Sequence, residues 1–560
     1  MAKSDPRPSS AAIPQMLMEG VGHYREGRHA EAEKICSRVL KLMPNQIDAL
    51  HLLGVIRLDG GKPAAALVLF QSALKVDPAS AAVLCNLGRA LATLNRDEEA
   101  LIALDKALAS SPNSFEALNG RGIVLLKLNR ATDALGMFER AARIEPRFIG
   151  SRMNLGNALA QLGRFEEALA EFEAVLASAP AQPDAHYGIG TALIGLGRHA
   201  EAIAAYDRAL TLRPKHLKAL ISRGVARMAL NHYQEALADF GAVLASDKNN
   251  ADVQHNEALA LLTLGDYRRG FEKYEHRWQR TGMAGRRRSL GKPLWLGEYP
   301  LQRKTILLHA EQGLGDTIQF VRYAPLLARA GAKVVLEVQL ELAALLARTE
   351  GVAAVVTRGD ALPPFDVHCP VGSLPRALRT EPSSIPANVP YLAASEERIA
   401  KWRERIARWP SPRIGIVWSG SASHPNDRNR SIALTKLAPV FRSEHGSFVS
   451  IQRDLRDGER EALASVPGLA HLGDDLEDFE DTAALVSLLD LVISVDTSVA
   501  HLAGALARPT WILTPFAPDW RWMLGREDSP WYPSVRLFRQ SAPGDWDSVI
   551  TRVRDELARV

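Results

Sequence analysis

A period of 34 residues runs through the first half of the chain without a slip, and nothing else in the sequence restricts the fold as tightly. Glycine recurs at Gly20, Gly54, Gly88, Gly122, Gly156, Gly190 and Gly224. Alanine recurs at Ala32, Ala66, Ala100, Ala134, Ala168, Ala202 and Ala236, and proline at Pro44, Pro78, Pro112, Pro146, Pro180 and Pro214. Four residues after each alanine stands an apolar side chain: Cys36, Phe70, Leu104, Phe138, Phe172, Tyr206 and Phe240. Together the series describe a repeated pair of helices. Glycine and alanine sit where the two helices approach, the large apolar residue fills the gap between neighbouring pairs, and proline stops the second helix. Eight units begin near Ile13, Ile47, Ala81, Phe115, Ile149, Pro183, Leu217 and Ala251. The eighth is degenerate, with Ala258 in the glycine slot and Gly270 in the alanine slot, as expected of the unit that caps a stacked array.

These positions resemble the tetratricopeptide (TPR) family. The resemblance implies a curved α-solenoid over residues 13–284 whose groove holds a peptide or protein client. The plainer alternative is that the array only supports the rest of the chain. Asn86, Asn154 and Asn256 share the sixth slot of their units, on the first helix of a pair. Asparagine is a poor helix-interior residue, and its amide matches both the N–H and the C=O of an extended peptide. These three are candidate groove residues. Leu52, Gly120, Gly188 and Ser222 hold the equivalent slot in other units, so the ladder is incomplete.

At 560 residues the chain is too long for one core. Its formal net charge of +4 makes no case for nucleic acid as the main partner. Cys36, Cys85 and Cys369 are too far apart for a metal spacing or a disulfide framework, which suits a reducing compartment. The first residues lack the apolar stretch of a secretion signal, and residues 1–12 read as a disordered start. No apolar run is long enough to span a membrane. A cytoplasmic location is expected.

The character changes after Trp278, the first of the ten tryptophans. Residues 285–303 read as a basic connector, with Arg286, Arg287, Arg288, Lys292 and Arg303 on a solvated face. From Thr305 apolar strands alternate with helices, which predicts two parallel, doubly wound lobes. The first is expected over 304–395, with strands at Ile306–Leu308 and Val334–Val338. The second is expected over 396–560, with strands at Ile414–Trp418, Phe448–Ile451, Leu491–Val495 and Trp511–Leu513. A final helix, Trp546–Val560, is expected to cross back over the first lobe.

Ligands of such sheets bind at the carboxyl ends of the strands, and three loops there carry chemistry. In His309–Tyr323, Gly313 and Gly315 let the backbone approach a ligand and Asp316 caps the following helix. Asp316 is also a candidate base for an acceptor hydroxyl, and Glu311 is a second carboxylate nearby. In Ser419–Ile432 a glycine- and serine-rich turn leads to Arg428 and Arg430, which suit phosphate. In Val492–Leu506 a buried strand runs through Asp496, Thr497 and Ser498 into a helix that carries His501 one turn in. Its free N–H groups suit a diphosphate. Gln452 ends a neighbouring strand, where a nucleotide base would lie.

The half from Thr305 onward resembles the GT-B glycosyltransferases of the heptosyltransferase-like family. The loop Gly313 to Asp316 matches that family's acceptor-side G-x-G-D, and the resemblance implies that Asp316 is the base. The stretch DTSVAHLAGAL matches the donor-diphosphate signature, and implies donor binding at Asp496, Thr497, Ser498 and His501. Gly504 stands where that signature has alanine, a departure read as conservative. The family's phosphate-binding lysine has no clear counterpart, with Arg428 or Arg430 as substitutes. A TPR array fused to such a half is similar to bacterial flagellin glycosyltransferases and, in layout, to the eukaryotic O-GlcNAc transferases.

The expectation is therefore a transferase that moves a sugar from a nucleotide-sugar donor to Ser or Thr of a protein in the groove, without metal or other cofactor. Flagellin is the acceptor the resemblance suggests. Two alternatives stand beside it: transfer to a lipopolysaccharide or lipid-linked acceptor, and an adaptor or chaperone whose transferase half is inactive.

Overall fold

The computed structural model describes residues 12–283, 287–442 and 446–559. The expected disordered start, Arg286 of the connector and the last residue Val560 lie outside them, apart from Ala12. The chain divides into two compact units, 1–222 and 223–560.

Sixteen helices follow one another in eight pairs, from Ile13–Arg25 with His29–Leu42 to Ala251–Thr263 with Tyr267–Tyr274. The period has the physical basis expected of it. A Cβ added at Gly54 would lie 2.4 Å from the Phe70 ring, and one at Gly190 would lie 2.4 Å from Tyr206. The same large side chains also meet the next unit. A Cβ at Gly188 would lie 2.7 Å from Phe172, and one at Gly120 would lie 3.2 Å from Leu104. Phe172 and Leu104 are thus gripped by their own pair and by the first helix of the next. Larger residues at these glycines would force the helices apart.

The second unit contains the helix Tyr233–Ser246 of the seventh pair, the eighth pair and two parallel sheets. One sheet holds β1 (Thr305–His309), β2 (Lys333–Val338), β3 (Val352–Thr357) and β4 (Val367–Pro370), in the order β3-β2-β1-β4. The other holds β5 (Arg413–Val417), β6 (Ser447–Ser450), β7 (Leu469–His471), β8 (Leu491–Val495), β9 (Thr510–Thr514) and β10 (Val535–Arg539), in the order β10-β9-β8-β5-β6-β7. All pairings within the two sheets are parallel. Strands β3, β4, β7 and β10 have no counterpart among the expected strands. They are short or edge strands, with Ala353 and Ala354 of β3 exposed, and their own apolar pattern is weak.

Successive residues of the second sheet face two different cores, as strand geometry requires. Val492 joins one core with Ala483, Leu485, Ala500 and Leu502. Leu491, Ile493 and Val495 join the other with Trp546, Val549, Ile550, Val553 and Leu557 of the last helix, Trp546–Leu557. That helix belongs to the second sheet and does not cross back over the first, because its apolar stripe is already consumed there.

Two further expectations change. The connector is not simply a solvated run. Arg288 pairs with Glu337, a β2 carboxylate only 1% exposed, and Trp295 and Pro293 exchange backbone hydrogen bonds with His368 of β4. The eighth helical pair is not a free cap either. Leu262, Tyr267, Phe271 and Tyr274 share one core with Ile306, Phe320, Trp520 and Trp531. Its glycine in the alanine slot has a local reason, since a Cβ at Gly270 would lie 2.7 Å from Leu262.

Candidate functional site

In a doubly wound sheet the crevice opens where the strand order reverses. In the second sheet this is between β5 and β8, and the loops after those two strands meet there. A Cβ at Gly420 would lie 2.5 Å from Nη2 of Arg430, so glycine lets the guanidinium lie on the backbone. Arg430 donates through Nη1 to the carbonyl oxygen of Asp496 at 2.9 Å. The turn bearing Arg430 is held by Arg456, which donates to Asp427 at 2.7 Å. Arg428 stands on the same turn and is exposed.

The helix that starts at the crevice is Ser498–Ala505. Thr497 is its N-cap in extended conformation, yet its hydroxyl bonds Ser494 at 3.1 Å and caps no helix amide. The leading amides are left without a side-chain cap, and Ser498 is half-buried beside them. Burial, and Asp519 beside it, push the Asp496 carboxyl up to about 6.

His501 and Gln452 are placed otherwise than expected. His501 is buried, its ring stacked on Trp522 at 5.4 Å and its Nδ1 bonded to the Tyr532 hydroxyl at 2.9 Å. Burial holds it well below its usual value, so it is a neutral wall of the crevice and not a cationic diphosphate contact. Gln452 accepts at Oε1 from the amides of Trp418 and Ser419 at 3.3 and 3.2 Å, and donates to the Asp454 carbonyl at 3.0 Å. Its amide ties the loop after β5 and is spent before any base arrives.

Gly504 is not a conservative departure. A Cβ there would lie 2.5 Å from Cδ1 of Tyr532, which is fully buried and carries the bond to His501. Gly504→Ala is expected to displace that ring and to cost about 1–3 kcal/mol of stability, as overpacking does. Thermal unfolding measures the loss, and a shifted His501 ring resonance reports the broken bond.

The first sheet contributes the loop after β1. Gly313 is the N-cap of helix Leu314–Phe320, and its N–H donates to Oδ2 of Asp316 at 2.9 Å. The other carboxylate oxygen pairs with Arg521. Gly315 lies where the two sheets' helices touch, and a Cβ there would come 2.8 Å from His501. The loop after β1 and the helix Ser498–Ala505 therefore share one crevice. Glu311 does not face a ligand. Its side chain is 4% exposed, and one of its oxygens takes both Nε and Nη2 of Arg277 at 3.1 and 2.8 Å. Burial pushes it up to about 7 while Arg277 pulls it down. The two donors converging on one oxygen mark a structural ion pair.

Two of the three candidate groove residues are already engaged. Asn86 donates to His51 Nε2 at 2.8 Å and to the Ala82 carbonyl at 3.2 Å, and accepts from Arg89 at 2.9 Å. Burial holds His51 below its usual value, which suits the accepting role. Asn154 donates to Asn119 at 2.9 Å. Both pairings join the fifth slot of one unit to the sixth slot of the next, 35 residues on, an offset that the 34-residue frame conceals. Asn256 belongs to the eighth pair, in the second compact unit.

Three residues that shape the crevice were missed in sequence: Asp519, Arg521 and Trp522. They lie in a fourth strand-end loop, after β9, and their signal is the motif Asp519-Trp520-Arg521-Trp522. Arg277, in Glu275-His276-Arg277-Trp278, was missed too; beyond the neighbouring Glu275, its partners Glu311 and Ser373 lie 34 and 96 residues away.

The tetratricopeptide repeat model matches residues 51–115, 103–147, 153–216 and 221–280. The first half is thus a tetratricopeptide-repeat array, a protein-binding class of structure, and it is followed by an α/β unit of two parallel sheets. The chain is similar to Protein FlbA of Caulobacter vibrioides, with 29% identity over 340 residues, 56% of this chain and 56% of that protein. It therefore spans little more than half the length of that curated relative. Among solved structures it is similar to a tetratricopeptide repeat protein from Parabacteroides merdae (20% identity, 45% of this chain and 100% of that one, TM-score 0.38). It is also similar to YrrB, described as a TPR protein with an unusual peptide-binding site (24% identity, 33% and 95%, TM-score 0.29). Among the described residues no helix is long and apolar enough to cross a membrane.

Proposed function

We propose that the chain is a glycosyltransferase that moves a sugar from a nucleotide-sugar donor to a serine or threonine of a protein client bound by the repeats. Flagellin is the client that the family resemblance favours. The observation that supports this most is the meeting of three strand-end loops at one crevice, with Gly315 against His501 and Arg430 on Asp496. In this reading the client hydroxyl gives its proton to Asp316 as its oxygen attacks the sugar carbon. The bond to the diphosphate breaks, and the leaving charge is met by the uncapped amides at Ser498, by Arg430 and by the exposed Arg428. The internal engagement of His501 and Gln452 favours a second reading, an adaptor whose α/β unit does not turn over.

The test uses the full chain with a panel of nucleotide sugars and a client protein, read by intact mass. A sugar-sized gain on the client is the expected result. Transfer only to a lipid-linked acceptor, or no turnover of any donor, would sink the reading.

Asp496 makes donor binding pH-dependent. Above about 6 its carboxylate opposes an anionic diphosphate; below, it is neutral. A nucleotide sugar, whose diphosphate does not titrate there, is expected to bind several-fold tighter as pH falls from 7.5 through this range. Asp496→Asn is expected to bind at pH 7.5 as the wild type binds at low pH. Calorimetry at several pH values checks both, and parallel pH profiles for the two proteins would contradict the assignment.

A further inference from the structure

We propose that Arg521 is a positioning residue for Asp316, and that the eighth helical pair holds Arg521 in place; the proposal rests on the transferase reading. The guanidinium is buried, with 9% of the side chain exposed, and its donors are divided among three acceptors. Nη2 pairs with Asp316, Nε donates to Gln319, and Nη1 donates to Asp519 at 2.9 Å. Asp316 and Gln319 lie three residues apart on helix Leu314–Phe320, so one rigid fork reaching from the second sheet grips one face of that helix. With Gly313 N–H on the other oxygen, the Asp316 carboxylate is fixed at both ends.

The fork is itself held from behind. Its guanidinium carbon lies 4.5 Å from the centre of the Trp520 ring. Trp520 meets Phe271 edge-on at 5.5 Å and Tyr267 at 6.0 Å, both on the second helix of the eighth pair. Tyr267 also accepts from Trp531 Nε1 at 3.1 Å. A contiguous chain of packed groups thus runs from the last repeat to the proposed base.

Misplacing a reacting group by about 1 Å costs on the order of a hundredfold in rate. Lysine keeps the charge and loses the fork. In the full chain, Arg521→Lys is therefore expected to lower client glycosylation on the order of a hundredfold, while affinity for the nucleotide sugar stays within about twofold. Free guanidinium ion at non-denaturing concentration is expected to restore part of the turnover of Arg521→Ala and none of that of Asp316→Ala. Wild-type turnover in Arg521→Lys, or a loss of donor affinity equal to the loss of turnover, overturns the proposal. Hydrogen exchange gives a readout independent of transfer: amides 313–320 are expected to exchange faster in both Arg521 variants, with the repeats unchanged. Unaltered protection there overturns the positioning role whether or not sugar moves. A wild type that transfers no sugar overturns the transferase reading alone.

Discussion

A fragment running from Lys304 to Val560 is expected not to fold, whereas one running from Arg223 to Val560 is expected to unfold in a single cooperative transition. The sequence pattern places a natural cut between the repeats and the sheets, but the core ignores it. Tyr267, Phe271 and Tyr274 of the eighth pair and Trp295 and Leu301 of the connector are all buried in the core that contains Phe320, Trp520 and Trp531. Burying one large apolar side chain contributes roughly 1.5–3 kcal/mol. Removing the three aromatics alone forfeits about 5–9 kcal/mol on that scale, comparable with the total stability of a domain. The shorter fragment also leaves Glu311 buried without Arg277. Near-ultraviolet circular dichroism of the tryptophans and denaturant titration measure the outcome. A cooperative transition in the 304–560 fragment would show that the eighth pair merely rests on a core complete without it.

Arg277→Ala is expected to cost about 3–5 kcal/mol, the loss seen when one partner of a buried ion pair is removed. Arg277 is 4% exposed and lies in the short turn Glu275–Gln279 that ends the repeats. It reaches Glu311 in the loop after β1, Glu275 beside it at 2.8 Å, and the Ser373 hydroxyl after β4 at 2.7 Å. Alanine would strand the Glu311 carboxylate, whose second oxygen already has no hydrogen-bond partner. Arg277→Met, of similar length and without charge, is expected to lose nearly as much, because the cost lies in the unpaired Glu311 and not in lost packing. Combining Arg277→Met with Glu311→Gln is expected to recover part of it. Chemical denaturation of the full chain checks the set; equal stability of all variants would reduce the pair to a surface-like contact.

The array and the loops of the crevice were legible in sequence because they rest on local rules. A helical pair needs a small residue at each close approach and a large one between pairs, so Gly54 and Phe70 or Gly190 and Tyr206 repeat at a constant spacing. The helix starts after β1 and β8, at Gly313 and Thr497, follow from the turn of the chain at strand ends. What a side chain does there is decided by neighbours far along the chain. His501 reads as a ligand until Trp522 and Tyr532 enclose it, and Gln452 reads as a base contact until the amides of Trp418 and Ser419 take it. Gly504 reads as interchangeable with alanine until the Tyr532 ring is seen to fill the space. Arg521 and Arg277 give no sign in the sequence of Asp316 and Glu311, the carboxylates they reach on other elements 205 and 34 residues away. Local pattern along the chain was enough to set the repeats, the central strands and the strand-end loops. Which polar groups are spent on one another was settled only when those elements packed, because a buried polar group is costly without a partner, and the partner is set by packing and not by spacing.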